Sequence, residues 1–246
     1  MAITVQKDQS GFLLSATRAV DVHRQLFRCD WLREQGKLLS TAVGGRARVC
    51  VFRHAGDECV LRHYRRGGMV AKFASQSYFW MGLRQTRAWR ELALLDDLHA
   101  EGLPVPRPLA AWVRRRGVGY RAALITYRIP NSQTFADLLQ QRAAPETLWR
   151  AVGETLRRFH DAGVYHADLN ANNLLIDDQS QVFLIDFDKG ERLGQGARWQ
   201  RDNLSRLHRS LCKLQRRHAT FYFSDAAWGW LTQAYAQSGE RIVESD

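Results

Sequence analysis

His166-Ala167-Asp168-Leu169-Asn170-Ala171-Asn172-Asn173 is followed by Leu174-Leu175-Ile176, Asp177-Asp178-Gln179-Ser180-Gln181 and Val182-Phe183-Leu184-Ile185-Asp186. The two apolar runs are short and β-prone, and the polar residues between them supply turn chemistry. The pattern predicts a hairpin of two short strands that holds Asn173 and Asp186 at the same end. Asp168, Asn173 and Asp186 then converge on one cleft. A lone Asp or an Asn-Asn pair would suggest only a turn, and a lone His only a structural hydrogen bonder. The combination at these spacings asks for a chemical reading.

That spacing, H-x-D-x-x-x-x-N followed by an Asp-Phe pair (here Asp186-Phe187), is the one protein kinases use to assemble phosphoryl transfer. Asp168 is the candidate catalytic base that orients the attacking hydroxyl and accepts its proton. Asn173 and Asp186 are the candidate ligands of Mg²⁺, which prefers hard oxygens. The implied co-substrate is ATP.

Outward toward the N-terminus, Gly44-Gly45 precedes a β-prone run through Phe52. Glycines there would let backbone amides approach phosphates, although hairpins also use glycine pairs freely. His54-Ala55-Gly56-Asp57 has turn character, and residues 58–64 read as the next strand. Where a phosphate-binding Lys is expected, Val60-Leu61-Arg62 offers Arg62, of the same charge but different geometry. Lys72 is a second possible phosphate contact and equally well an exposed loop lysine. Apolar residues at 88, 92, 95 and 98 predict a helix over 86–99. On it, Glu91 is placed to pair with the basic strand residue. Strands follow at 110–113 and 121–127, then Tyr127-Arg128-Ile129-Pro130, where backbone at Tyr127 and Ile129 would meet adenine. Helices over 134–142 and 145–162 come next. The expected fold is therefore α+β, a protein-kinase-like two-lobed arrangement. Residues 1–129 form an antiparallel-sheet N-lobe, and residues 130–246 a mainly helical C-lobe.

Beyond Asp186 the order is Phe187-Asp188-Lys189, so Asp188 replaces an expected Gly, and Asn170 stands where a Lys is common. No Ala-Pro-Glu follows, and a basic helical stretch begins near Ala197, leaving room for only a short loop. Kinases that dock protein chains need a longer segment there. These departures suit a small-molecule or glycan acceptor.

The net charge is +11, with arginines grouped at Arg62-His63-Tyr64-Arg65-Arg66, Arg114-Arg115-Arg116, and Arg206 through Arg217. Such a surface suits nucleic acid, an anionic membrane or an anionic substrate. No zinc-finger or RNA-recognition signature accompanies it, so nucleic acid is not expected. Arg114–Arg116 reads as a solvated hairpin tip, because Gly117 and Gly119 follow. The later cluster recurs at helical spacing. No apolar run approaches a membrane span, and the N-terminus lacks a secretory pattern. Cys29, Cys50, Cys59 and Cys212 have neither metal-ligand nor disulfide-framework spacing and are expected as buried thiols of a reducing cytoplasm.

Leu61-Arg62-His63-Tyr64-Arg65-Arg66-Gly67-Gly68, Gly102-Leu103-Pro104-Val105-Pro106-Arg107-Pro108, the His166–Asn173 segment and Leu184-Ile185-Asp186-Phe187-Asp188-Lys189 together resemble the bacterial 3-deoxy-D-manno-octulosonic acid (Kdo) kinases. The likeness covers nearly the whole chain. Arg for Lys and Asp-Phe-Asp look like that family's own variants. Lipopolysaccharide heptose kinases share the catalytic loop, but Arg-His-Tyr-x-Arg-Gly-Gly fits the Kdo kinases better. The resemblance implies ATP-dependent phosphorylation of the Kdo 4-hydroxyl on Kdo-lipid IVA. It also implies a peripheral enzyme on the cytoplasmic face of the inner membrane of a Gram-negative bacterium. Arg65, Arg66, Arg84 and Arg87 are then candidates for acceptor or membrane contact. Two other classes are an inactive kinase-like binding protein, opposed by the retained Asp168, Asn173 and Asp186, and a nucleic-acid-binding protein, suggested by charge alone.

Overall fold

Turn residues and alternating burial lay out the first half of the chain as antiparallel strands. The computed structural model describes residues 3–9, 11–44, 47–64, 78–194 and 196–243. The chain divides into two compact units, Met1–Glu101 with Pro106–Arg128, and Gly102–Val105 with Ile129–Asp246.

Unit 1 contains β1 (Thr4–Asp8), β2 (Gly11–Ser15), α1 (Cys29–Glu34), β3 (Leu38–Gly44), β4 (Ala47–His54), β5 (Asp57–His63), β6 (Tyr78–Phe79), α2 (Arg87–Ala100), β7 (Pro108–Arg116) and β8 (Gly119–Tyr127). The strands form one sheet in the order β1-β2-β7-β8-β5-β4-β3, with β6 also paired to β8. The β4–β5 hairpin closes through Ala55 (φ 50) and Gly56 (φ 90), the positive φ pair of a tight two-residue turn. Alternation sends Cys59 and Leu61 of β5 into the core shared with α1 residues Cys29 and Leu32. Arg62 faces the opposite side, toward α2. There α2 buries Ala88, Leu92, Leu95 and Leu98. Thr86 caps that helix by accepting from the Trp89 N–H at 3.3 Å.

The cysteines depart from expectation. Cys29 and Cys50 form a disulfide, with Cα atoms 6.3 Å apart. A separation of 21 residues hides the pair in the sequence, and only the docking of α1 onto β4 brings the two together. Cys59 is a buried thiol, its pKa pushed up to about 12 chiefly by burial. Cys212 is half-buried.

Unit 2 contains β9 (Gln133–Thr134), α3 (Phe135–Gln141), α4 (Glu146–Asp161), β10 (Val164–Tyr165), β11 (Leu174–Ile176), β12 (Val182–Leu184), β13 (Glu191–Arg192), α5 (Ala197–Arg217) and α6 (Asp225–Val243). It is mainly helical, and with the antiparallel sheet of unit 1 it makes the α+β arrangement expected. Helices α4 and α6 pack closely because of Gly153: a Cβ there would lie 2.2 Å from the Leu231 carbonyl oxygen. Phe135 and Trp149 meet edge to face at 4.8 Å in the core beside them. No helix among the described residues is long and apolar enough to cross a membrane.

Candidate active site

The hairpin β11–β12 pairs Leu174 with Leu184, and the Ile185 N–H donates to the Asn173 carbonyl at 3.0 Å. Asn173 and Asp186 are therefore held at one end of the hairpin. Asp186 has φ 64, a left-handed conformation that costs a non-glycine residue energy and marks a constrained position. Phe187 anchors the turn behind it. That ring is 1 % exposed and lies 5.9 Å from Phe159 and 5.0 Å from the His166 ring.

His166 is the organiser rather than a proton carrier. Its Nε2 donates to the Ile185 carbonyl at 2.9 Å, while its Nδ1 accepts from the Asp168 N–H at 3.3 Å. One neutral tautomer makes both bonds. Burial, the largest influence, lowers the His166 pKa below its ordinary value and favours that neutral ring. The imidazole thus ties the start of the loop to the residue preceding Asp186.

Asp168 exposes its carboxylate while its carbonyl is locked. That carbonyl accepts from Asn170 Nδ2 at 2.8 Å and from Asn173 Nδ2 at 2.9 Å. Asn170 Oδ1 in turn accepts from the Asn172 N–H at 2.9 Å. Asn170 thus fixes the loop where a Lys would project from it. Because Asn173 commits its NH₂ to the loop, its Oδ1 is the end left to serve as a hard oxygen donor. Together with the Asp186 carboxylate it offers the hard-oxygen donor chemistry that Mg²⁺ prefers.

Asn203 on α5 was not a sequence candidate. It is 1 % exposed, accepts from the His166 N–H at 3.2 Å and donates to the His166 carbonyl at 3.1 Å. Its signal was a polar residue on the same helical stripe as buried Leu207 and Leu211, a position that demands partners.

In unit 1 the Arg62 guanidinium donates to Glu91 Oε1 at 2.5 Å, and the Tyr64 hydroxyl donates to Glu91 Oε2 at 2.5 Å. The Glu91 side chain is 2 % exposed and that of Arg62 22 %. Tyr64, which the motif includes without assigning it a role, also stacks beneath the guanidinium at 4.9 Å. Tyr127 pairs with Cys59 across the ladder, and its N–H donates to the Arg107 carbonyl at 2.9 Å. The Ile129 carbonyl accepts from Ser132 Oγ at 2.8 Å. Gly44 ends β3. Gly45, Arg65, Arg66 and Lys72 lie outside the described residues. Arg84 is exposed over the Trp89 ring, whereas Arg87 donates to the Tyr78 hydroxyl at 3.1 Å. On α5 the basic cluster does take one face: Arg198, Arg206, Arg209, Lys213, Arg216 and Arg217 are exposed.

A family model described as lipopolysaccharide kinase (Kdo/WaaP) family matches residues 29–235. The chain belongs to that family. Among members of the lipopolysaccharide kinase family, a 3-deoxy-D-manno-octulosonic acid kinase of Photobacterium profundum is 41 % identical over 85 % of this chain and 87 % of its own length. A protein of the same name from Photobacterium damsela subsp. piscicida is 35 % identical over 96 % of this chain and 98 % of its own. Another, from Xanthomonas euvesicatoria, is 47 % identical over 70 % and 69 %. The matched span includes both the Arg62–Glu91 pair and the whole Asp168–Asp186 segment.

Proposed function

We propose that this lipopolysaccharide kinase is an ATP-dependent 3-deoxy-D-manno-octulosonic acid kinase, acting on the 4-hydroxyl of Kdo in Kdo-lipid IVA. The observation that carries the reading is the locked loop: Asn170 and Asn173 hold the Asp168 carbonyl while the Asp168 carboxylate faces solvent. A hydroxyl bonded to that carboxylate gives up its proton to Asp168 as its oxygen bonds the γ-phosphorus. The bond from that phosphorus to the β–γ bridging oxygen breaks, and ADP leaves with the charge. Asn173 and Asp186 would hold Mg²⁺, which would supply charge neutralisation at the phosphates. Arg62, oriented by Glu91 and Tyr64, serves the phosphates of ATP. Gly44, Gly45 and Lys72 are further phosphate candidates. Tyr127 and Ile129 are backbone candidates for adenine, with the Tyr127 N–H already committed to Arg107.

The enzyme works at the cytoplasmic face of the inner membrane as a peripheral protein. The net charge of +11 supports this, because the acceptor and the membrane surface are both anionic. The test is mass spectrometry of Kdo-lipid IVA after incubation with the protein, ATP and MgCl₂. One phosphate on the Kdo 4-position is expected. Phosphate only on a heptosylated acceptor, or none with either acceptor, would overturn the reading.

A further inference from the structure

The three most exposed large apolar side chains among the described residues stand together in unit 1. Phe79 is 67 % exposed, Met81 74 % and Val118 76 %. The backbone brings them to the same end of the β7–β8 hairpin. Phe79 lies opposite Gly119 in the β6–β8 ladder, and the Trp80 N–H donates to the Val118 carbonyl at 2.9 Å. Apolar side chains gathered at such a tip are costly in water and mark a surface that meets an apolar partner.

The charge beside this tip identifies the partner. On the α1 side of the sheet, a cavity of about 330 Å³ is lined by Arg28, His63, Arg114, Arg116 and Arg121. Its one acidic neighbour, Asp30, is 3.4 Å from Arg33. Arg114 and Arg121 are direct cross-strand partners, a like-charge pair that repels. Among the described residues no acidic side chain pairs with Arg114, Arg116 or Arg121. Arg115 adds a cation 5.6 Å over the Trp80 ring. Arg114–Arg116 is thus more than a solvated turn. Repelling cations next to apolar prongs match an anionic layer lying directly above an apolar one, which is the surface of an anionic bilayer. The basic face of α5 carries cations too, but no large apolar side chain is exposed on that helix.

We propose that the β7–β8 turn and β6 form the membrane-docking tip of this enzyme. Phe79, Met81 and Val118 enter the headgroup–acyl boundary, and the arginines of the adjoining cavity take lipid phosphates. The assignment rests on the peripheral reading above and names the surface responsible.

Co-sedimentation with vesicles of phosphatidylglycerol and phosphatidylethanolamine tests it, with phosphatidylcholine vesicles as the neutral control. The variants are Phe79→Ser/Met81→Ser/Val118→Ser, Arg114→Gln/Arg116→Gln/Arg121→Gln and, on α5, Arg209→Gln/Lys213→Gln/Arg216→Gln. Either tip set should lower the partition coefficient on anionic vesicles about tenfold or more, and the α5 set by less than about threefold. Thermal unfolding, together with turnover of detergent-dispersed Kdo-lipid IVA, should stay at the unmodified level in all three. If the unmodified protein ignores anionic vesicles, the peripheral reading fails and the docking tip with it. If it binds and the tip variants bind equally well, the tip alone is overturned. Conversion of a dimer to a monomer by the apolar set, with vesicle binding unchanged, would assign the prongs to a second copy of this chain and also overturn it.

Discussion

Asn173 donates its side-chain amide to the main-chain carbonyl of Asp168, at 2.9 Å across five residues. One bond therefore sets both the loop that carries the proposed base and the orientation of Asn173 Oδ1, the proposed metal ligand. Asp168→Asn should lower kcat by about 10²–10⁴-fold, the usual worth of a positioned base, with thermal unfolding unchanged. Asn173→Leu should lower kcat too, but it also frees the loop. Its apparent KM for MgCl₂ should rise, whereas that of Asp168→Asn should not. Steady-state kinetics across a Mg²⁺ series separates the two, and an unaltered Mg²⁺ dependence in Asn173→Leu would remove that residue from the metal.

The Arg62–Glu91 pair predicts non-additive stability. Arg62→Met removes the guanidinium from the buried Glu91 carboxylate and leaves the Tyr64 bond in place. A loss of about 3–5 kcal/mol is expected, as for other broken buried pairs. Arg62→Met/Glu91→Leu should recover part of that loss, because the buried carboxylate is removed together with the guanidinium that faced it. Urea denaturation of the two single variants and the double variant measures the coupling, and additive losses would show that the two side chains do not depend on one another.

Acid should destabilise unit 2 through His160. Burial lowers its pKa from 6.5 to about 4, and Nδ1 lies 2.7 Å from the Tyr235 hydroxyl. The unfolded chain binds this proton first, so stability present above pH 6.5 is lost as pH falls from about 6.5 toward 4. His166 shifts in the same direction. In His160→Gln the fall in unfolding free energy between pH 7 and pH 4.5 should shrink by about 2 kcal/mol. An unchanged fall would mean that His160 protonates within the folded protein.

The Cys29–Cys50 bridge makes a thiol count decisive. Denatured without reductant, the protein should titrate two thiols, Cys59 and Cys212, and four after reduction. Cys29→Ser/Cys50→Ser should lose about 3 kcal/mol, the cost of freeing a loop of this order. Four thiols before reduction would exclude the bridge from the purified protein.

Local pattern and distant contact divide what the sequence could reveal. The β11–β12 hairpin was legible because turn residues separate two apolar runs, and α2 because its apolar positions repeat at helical spacing. Residues 4–34 carry no such signal, so β1, β2 and α1 emerged only in the structure. The disulfide, the Tyr64 bond to Glu91 and the Asn203 clamp all join residues far apart in the chain. Such contacts follow from how elements dock, which spacing alone does not encode. Asn170 is the intermediate case. Its departure from Lys was visible, but its work in bonding the Asp168 carbonyl was not.

Asn203 reaches the main chain of His166 over 37 residues, satisfying both its N–H and its carbonyl. During synthesis, the entire kinase motif from His166 to Asp186 is polymerised before that partner is added to the chain. The proposed catalytic loop is consequently among the last parts of unit 2 to reach its final form, since a contact this distant in sequence must wait for α5 to dock. A nascent chain halted ahead of α5 would hold every residue of the motif and still lack a shaped catalytic loop.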